Sequence, residues 1–411
     1  MAMKRILNYP TLLLFALFIV GFAVADAVTP DKVTSSFENR KLQQKPELTV
    51  TSFFDSSFGT AYETYINDQF AGRDQWISLK AQTEAALGKI ENNGIVYGKN
   101  GYLFEKLQIS PNPGPGAGSN VVDEKRVNNN IRFAKEFFEM YNLPMTFALA
   151  PNSYAVVQQY VPTGMNSPNQ EEMIPALYQQ MNAGENVTFL NFINTLRAHN
   201  TEEIYYKTDH HWTTLGAYYA YVQYCQEKGL TPVDLSRLSY ETEEDFYGTY
   251  YSKARRPGQK ADEIHWYNVP VKSFQFAADT QDKKLMAKGE QTEFQGIPML
   301  SVNTLYNTDK FDTRDKYAAF MWGNPGLAIV ESENNLNKGE APRRLLLVKD
   351  SYANSMIPFL TYNYDEIWVV DLRAVPQKMS QILTENTFDD IFIMYNFSTF
   401  LSDTNIGRLR F

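Results

Sequence analysis

The residues best suited to chemistry lie in one short stretch, Lys207-Thr208-Asp209-His210-His211-Trp212. The chain has four histidines, and two of them stand side by side here, directly after an aspartate. Histidine is the side chain best suited to proton transfer near neutral pH. An aspartate two residues before a histidine can bond one ring nitrogen and leave the other free, which is half of a nucleophile–base–orienter triad. The pattern also predicts that Thr208 or Asp209 caps a helix that runs to about residue 229.

The nucleophile of such a triad would lie at the carboxyl end of a strand, where chemistry sits in open α/β sheets. Ser351 has the best context, because it directly follows an apolar strand pattern over residues 345–349 and precedes a helical pattern. The N–H groups of a helix N-terminus would face any oxyanion formed there. The Gly-x-Ser-x-Gly motif is absent, and a strand followed by Asp-Ser is by itself more often a helix cap than a nucleophile.

Other polar residues at predicted strand ends are candidates for contact with a substrate. They are Asn152, Ser153, Arg373 and Asn396, together with His210 and Trp212 from the histidine stretch. Trp212 would serve either in the core or as a wall against a sugar ring. A metal site at Asp209, His210 and His211 is a weaker alternative, because adjacent histidines point to different sides of a regular element. We therefore expect no metal and no cofactor.

Composition excludes some classes of function. The 411 residues carry a formal net charge of -9, which argues against nucleic acid as the main partner. One cysteine allows no intramolecular disulfide and no cysteine-based metal site. The aromatic content of 14% would suit stacking against sugars, although such residues also fill ordinary cores.

The N-terminus is typical of a targeting segment. Lys4 and Arg5 precede an apolar run over residues 12–25, and Ala23-Val24-Ala25 resembles a cleavage site. A cleaved signal peptide and an uncleaved transmembrane anchor are both open, and we favour the anchor because no strongly polar stretch precedes the cleavage site. Either alternative places the rest of the chain outside the cytoplasm.

The remaining pattern predicts an α/β fold. Strands are expected over residues 145–150, 187–190, 345–349, 366–372 and 390–395, with helices over 121–141, 171–181 and 375–384. Residues 235–335 break this rhythm and are interpreted as a β-rich insertion without a clear helix. The predicted organisation is a membrane segment over residues 1–28, a stalk with a helical and hairpin arm over 29–105, and the main domain over 106–411.

Asp209-His210-His211-Trp212 resembles the signature of the bacterial DHHW proteins, which are similar to the alginate O-acetylation proteins of the SGNH-hydrolase-like superfamily. The resemblance also includes Asp68-Gln69-Phe70, the stretch from Val96 to Phe104, and Lys349-Asp350-Ser351-Tyr352. It implies a flavodoxin-like, three-layer fold with a parallel sheet, circularly permuted because the Asp/His block precedes the serine.

The resemblance also implies residue roles: Ser351 as nucleophile, His211 as base, Asp209 as orienter, and the Tyr352 N–H and Asn396 side chain as oxyanion donors. Two departures stand out. Lys349 replaces the glycine usual before Asp-Ser, and no second oxyanion glycine can be placed, Arg373 lying near its expected position.

The function implied is O-acetylation of a cell-surface or secreted polysaccharide through an acyl-serine. A polytopic membrane acyltransferase would supply the acetyl group. A carbohydrate esterase with the same triad, a non-catalytic carbohydrate-binding or assembly protein of an exopolysaccharide export complex, and a metal-dependent hydrolase are the alternatives.

Overall fold

A computed structural model of the protein describes residues 9–35, 40–114, 116–118, 120–182, 184–336 and 341–411. Lys4 and Arg5, which carry the targeting prediction, lie outside these ranges. The chain divides into two compact units, one comprising residues 1–89 with Arg255–Pro257 and the other Ile90–Ala254 with Gly258–Phe411.

The first unit contains an apolar helix, α1 (Pro10–Val28), that is long and apolar enough to cross a membrane. None of its residues is buried, and a signal sequence meets the same criteria. The Phe22 ring of this helix stacks on Phe70 and also contacts Trp76. The other elements of this unit are β1 (Thr34–Ser35), β2 (Arg40–Lys41), α2 (Val50–Phe54), α3 (Ser57–Gln69) and α4 (Arg73–Ala86).

A nine-stranded sheet organises the second unit, in the order β13-β14-β12-β15-β17-β16-β18-β8-β9. Its strands β17, β16, β18, β8 and β9 run parallel, as the apolar patterns predict. The bounds of these strands are β8 (Met145–Ala150), β9 (Val187–Asn191), β16 (Arg344–Lys349), β17 (Glu366–Val370) and β18 (Asp390–Asn396).

Side chains of the parallel strands alternate between two hydrophobic clusters, one on each face of the sheet. In β16, Leu345 and Leu347 join one cluster, while Leu346 and Val348 join the other. Burial on both faces explains why these strands are apolar runs rather than alternating patterns. Helix α9 (Thr214–Lys228) packs in the first cluster, and α5 (Glu124–Tyr141) and α7 (Gln170–Met181) pack in the second. This unit is therefore a three-layer α/β arrangement.

The expectation of a parallel sheet is wrong for the other half, because the sheet is mixed. Strands from the 235–335 region extend it antiparallel beyond β17. They present an unpaired edge to the parallel strands, so pairing satisfies backbone groups that would otherwise be exposed. Their bounds are β12 (Ser273–Ala277), β13 (Glu290–Phe294), β14 (Ile297–Val302) and β15 (Leu327–Glu331).

The 235–335 region also contains two short helices, α10 (Thr249–Ala254) and α11 (Lys283–Met286), where the pattern predicted no clear helix. A separate antiparallel pair is formed by β10 (Tyr240–Phe246) and β11 (Asp262–Tyr267). The predicted hairpin around Asn100 is confirmed as β4 (Ile95–Tyr97) and β5 (Leu103–Glu105), with positive φ at Asn100 and Gly101.

The remaining elements of the second unit are short. They are β3 (Glu91–Asn92), β6 (Gln108–Ser110), β7 (Val121–Asp123), α6 (Ser153–Val156), α8 (Ile193–Arg197), α12 (Ile357–Leu360), α13 (Met379–Glu385) and α14 (Phe397–Ser402).

Candidate active site

The histidine stretch forms a tight backbone hairpin rather than the start of a helix. The N–H of Tyr206 donates to the carbonyl of His211, and Thr213 N–H donates to Ile204. Asp262 fixes the tip, since its carboxylate accepts from the backbone N–H groups of Lys207 at 2.9 Å and Thr208 at 2.7 Å. The loop that bears Asp209 and His211 is therefore held from both sides.

The prediction that Thr208 or Asp209 caps the following helix is wrong. Helix α9 begins at Thr214, and its N-cap is Thr213, whose hydroxyl accepts from the N–H of Gly216 at 3.3 Å. Asp209 is unavailable for capping because its carboxylate has other donors.

Both carboxylate oxygens of Asp209 accept hydrogen bonds. Oδ1 accepts from His211 Nδ1 at 2.6 Å and from the His211 backbone N–H at 3.0 Å. Oδ2 accepts from the Thr249 N–H at 2.7 Å and its hydroxyl at 3.0 Å. Burial opposes ionisation of this carboxyl, but the charges of His210 and His211 outweigh it and hold the pKa of Asp209 well below its usual range. The carboxylate is thus ionised and fixed in orientation.

Gly248 makes this close approach possible. A Cβ at that position would lie 2.2 Å from the Asp209 Cβ and 2.3 Å from Oδ2. Any side chain would therefore collide with the carboxylate.

His211 uses both ring nitrogens. Nδ1 donates to Asp209, and Nε2 lies 2.8 Å from the Ser351 hydroxyl oxygen. The ring stacks on Tyr317, with centroids 3.8 Å apart and planes 14° apart. Burial and the neighbouring charge of His210 lower the pKa of His211 to about 4, against the opposing effect of Asp209. At neutral pH the imidazole is therefore uncharged and able to accept the Ser351 proton.

Ser351 follows β16 directly and opens a short 3-10 helix, Ser351–Ser355. Trp212 holds this helix in place, because its indole N–H donates to the Tyr352 carbonyl at 2.9 Å. The Tyr317 hydroxyl donates to the carbonyl of Ser351 at 3.1 Å. The structure thus brings Asp209, His211 and Ser351 into one hydrogen-bonded chain, although 140 residues separate the histidine from the serine.

The two residues assigned to an oxyanion hole both have protein partners. The Tyr352 N–H donates to Asp350 Oδ1 at 2.9 Å. The Asn396 amide donates to the Ala150 carbonyl at 3.0 Å, while its oxygen accepts from two backbone N–H groups of helix α14. A side-chain amide carries two N–H hydrogens, so Asn396 has one beyond the bond to Ala150.

The remaining candidates for substrate contact differ in accessibility. Trp212 and Ser153 are buried, so neither forms a wall toward solvent. Asn152 is buried against Asn396 and Ser398, yet it lines a pocket beside the site. His210 lines the same pocket.

Arg373 belongs to a cluster of charges at the ends of β16 and β17. Its guanidinium donates to both oxygens of Asp371, at 2.8 and 2.5 Å. Lys349, which is fully buried, donates to Asn354 at 2.8 Å and Asn324 at 3.0 Å, and lies 3.5 Å from Asp371. Burial lowers the pKa of Lys349 to about 8.

Asp209, His210 and His211 could by proximity hold a metal ion, since their candidate ligand atoms lie within 4.8 Å of one another. Both ring nitrogens of His211 are engaged by Asp209 and Ser351, and His210 Nδ1 faces the Thr249 hydroxyl at 2.8 Å. A metal here would have to displace the bonds that join the serine to the histidine.

Three residues of the site were not found from the sequence: Gly248, Thr249 and Tyr317. All three lie in the 235–335 region, far along the chain from both the histidines and the serine. The dipeptide Gly248-Thr249 gives no local signal, because its role depends on contact with Asp209.

Comparison with known proteins gives one family. The family described as DHHW protein matches residues 122–370, well over half of the chain. No curated protein matches.

Similar solved structures share the fold at low sequence identity. A DHHW family protein from Eubacterium siraeum is 22% identical, with a TM-score of 0.57 over 78% of this chain and 96% of that one. Bacillus cereus PatB1 with a sulfonyl adduct is 15% identical, with a TM-score of 0.54 over 76% of this chain and 97% of that one. The O-acetyltransferase domain of Pseudomonas putida AlgJ is 12% identical, with a TM-score of 0.42 over 77% and 98%.

Proposed function

The chain belongs to the DHHW family, and on that premise we propose that it is an extracytoplasmic serine O-acyltransferase that acetylates a polysaccharide through an acyl-Ser351 intermediate. The observation that carries the proposal is the hydrogen-bonded chain from Asp209 through His211 to Ser351. Each bond is within the range expected for a nucleophile, its base and the group that orients the base.

In the first half-reaction the Ser351 oxygen attacks the carbonyl carbon of an acetyl donor, and His211 Nε2 takes the hydroxyl proton. Asp209 stabilises the imidazolium that forms. The second N–H of Asn396 is the donor we assign to the tetrahedral oxyanion, whereas the Tyr352 N–H would first have to leave Asp350. Collapse returns the proton from His211 to the leaving group and leaves an acetyl ester on Ser351.

In the second half-reaction a sugar hydroxyl attacks this ester while His211 accepts its proton. The new tetrahedral intermediate collapses to the acetylated sugar and free Ser351, which regains the proton. Water in place of the sugar would make the same site an esterase. The two outcomes differ in how well an acceptor excludes water.

Location and partner follow from the N-terminus. We propose that helix α1 is retained as a membrane anchor, supported by the packing of Phe22 on Phe70 and Trp76. The acetyl group would then come from a polytopic membrane acyltransferase, because the site lies outside the cytoplasm. We also interpret the order of the chain, with Asp209 and His211 before Ser351, as a circular permutation of the SGNH-like arrangement.

Transfer and hydrolysis can be separated in one assay. The full-length chain in detergent micelles receives p-nitrophenyl acetate with and without a mixed oligosaccharide pool, and acetylated sugar and free acetate are quantified. We expect acetylated sugar from the wild type and none from Ser351→Ala. Acetate release alone would favour an esterase, and equal background in both proteins would favour a binding or assembly protein.

Chelation gives the control for a metal-dependent hydrolase. Treatment with EDTA should leave the rate unchanged, because the proposed steps use no metal. A rate abolished by EDTA and restored by Zn²⁺ would contradict the proposed mechanism.

A further inference from the structure

A polar pocket of about 260 Å³ lies beside the hydrogen-bonded chain. Its walls include Asn152, Asn396, His210, Thr249, Glu105 and Lys253. Asn396 and Asn152 come from the ends of neighbouring parallel strands, the same sheet edge from which Ser351 projects. The pocket is thus next to the serine and open to an incoming molecule.

The charged groups in the pocket wall are paired with opposite charges. Lys253 donates to Glu105 at 2.8 Å, joining helix α10 to strand β5. His210, whose pKa is raised because the nearby Asp209 outweighs the effect of burial, lies 3.4 Å from that carboxylate. Each cation of the wall therefore already has a carboxylate as its counter-ion.

The uncharged part of the wall is rich in hydrogen-bonding groups. It comprises the hydroxyl-bearing residues Thr249, Ser398, Thr399 and Ser402, the amides Asn152 and Asn396, and the apolar side chains Leu107 and Val122. A pyranose ring presents hydroxyl groups on its edges and C–H groups on its faces, which such a wall complements.

We propose that this pocket is the acceptor subsite and that it takes an uncharged sugar residue; the inference rests on the proposed function. A uronic acid would bring a carboxylate into a pocket whose two cations are already neutralised, and an amino sugar would bring an ammonium group without an unpaired carboxylate. Either would lose hydration without gaining a counter-ion. The net charge of -9 further disfavours a polyanionic chain.

His210 connects the subsite to the hydrogen-bonded chain. Its Nδ1 faces the Thr249 hydroxyl at 2.8 Å, and that hydroxyl donates to Asp209 at 3.0 Å. An acceptor in contact with His210 is therefore coupled to the group that orients His211, which places its hydroxyl close to the base.

Acceptor choice tests the proposal. The full-length chain in detergent micelles is acetylated with p-nitrophenyl acetate, acyl-Ser351 is quantified by mass spectrometry, and cellopentaose, pentagalacturonate and a glucosamine pentamer compete as acceptors. We expect cellopentaose to gain acetyl at least about tenfold faster than either charged oligosaccharide.

Charge-altering variants make the test directional. Glu105→Gln removes the counter-ion of Lys253 and should raise the ratio of pentagalacturonate to cellopentaose acetylation about tenfold. Lys253→Met removes the counter-ion of Glu105 and should raise the ratio for the glucosamine pentamer instead. Glu241→Gln, an exposed change of the same charge outside the pocket, is the matched control and should alter neither ratio.

The outcomes separate the two proposals. Equal acetylation of charged and neutral acceptors, unchanged ratios in both variants, or an acyl-enzyme that transfers to none of the three would overturn the uncharged-acceptor subsite. Absence of acyl-Ser351 in the wild type would contradict the proposed function itself, and the subsite proposal would fall with it.

Discussion

Gly248→Ala tests whether the placement of Asp209 governs the site without altering any residue of the hydrogen-bonded chain. The added Cβ would lie 2.2 Å from the Asp209 Cβ and 2.3 Å from Oδ2. Ordinary carbon–carbon contacts need about 3.5 Å or more, so the carboxylate must retreat by roughly 1 Å. That movement stretches the 2.6 Å bond to His211 and the bonds from Thr249.

A displacement of this size should be costly for catalysis. Misplacing a reacting group by 1 Å can lower a rate about 10²-fold, which corresponds to about 2.7 kcal/mol of transition-state stabilisation. We expect acetylation of Ser351 by p-nitrophenyl acetate to slow by about 10²-fold. The burst of p-nitrophenol under single-turnover conditions measures this step directly, and a thermal melt checks that the fold remains.

Gly114→Ala is the matched control, because a Cβ there meets nothing within 4 Å and the rate should be unchanged. The double variant Gly248→Ala with Asp209→Asn completes a thermodynamic cycle. If Gly248 acts through Asp209, the double variant is no slower than Asp209→Asn alone. A folded Gly248→Ala protein that matches Gly114→Ala, or fully additive losses, would refute the reasoning.

Three further changes probe the base, its stacking partner and the buried lysine. Because the pKa of His211 is lowered to about 4, the acylation rate should stay nearly constant from pH 7 to pH 5 and fall below pH 4; a fall centred near pH 6.5 would contradict this. Tyr317→Phe keeps the ring on His211 but removes the hydroxyl bonds to Ser351 and Ser355, so the rate should fall about tenfold, at about 1 kcal/mol per bond; Tyr317→Ala should cost more. The pKa of Lys349 is about 8 in the fold, against 10.5 when exposed, so the unfolded chain binds more protons between these values. The free energy of unfolding should therefore rise with pH across that window, by about 3 kcal/mol relative to Lys349→Met, measured by urea denaturation; parallel curves would contradict it.

The parallel half of the sheet was predictable because its strands are buried on both faces and read as continuous apolar runs. β16, β17 and β18 were expected within a few residues of their observed bounds. The antiparallel half was not, because β12 to β15 are short and partly exposed, and their membership of the sheet depends on pairing with β17 rather than on their own pattern.

The site shows a similar division. Ser351 and His211 could be named from a strand end and a histidine after an aspartate, since these are local signals. Asp209 as a helix cap was wrong because local propensity cannot reveal that Thr249, 40 residues away, takes the second carboxylate oxygen. Trp212 gave no sign from the sequence alone that its indole would hold the nucleophile helix.

The most direct measurement is the covalent state of Ser351 after exposure of the full-length chain to p-nitrophenyl acetate. Peptide mass spectrometry should find one acetyl group on Ser351 in the wild type, and none in Ser351→Ala or His211→Ala. An adduct that persists in His211→Ala at the wild-type rate, or an unmodified Ser351 with equal background hydrolysis in all three proteins, would contradict the assignment of Ser351 as an activated nucleophile.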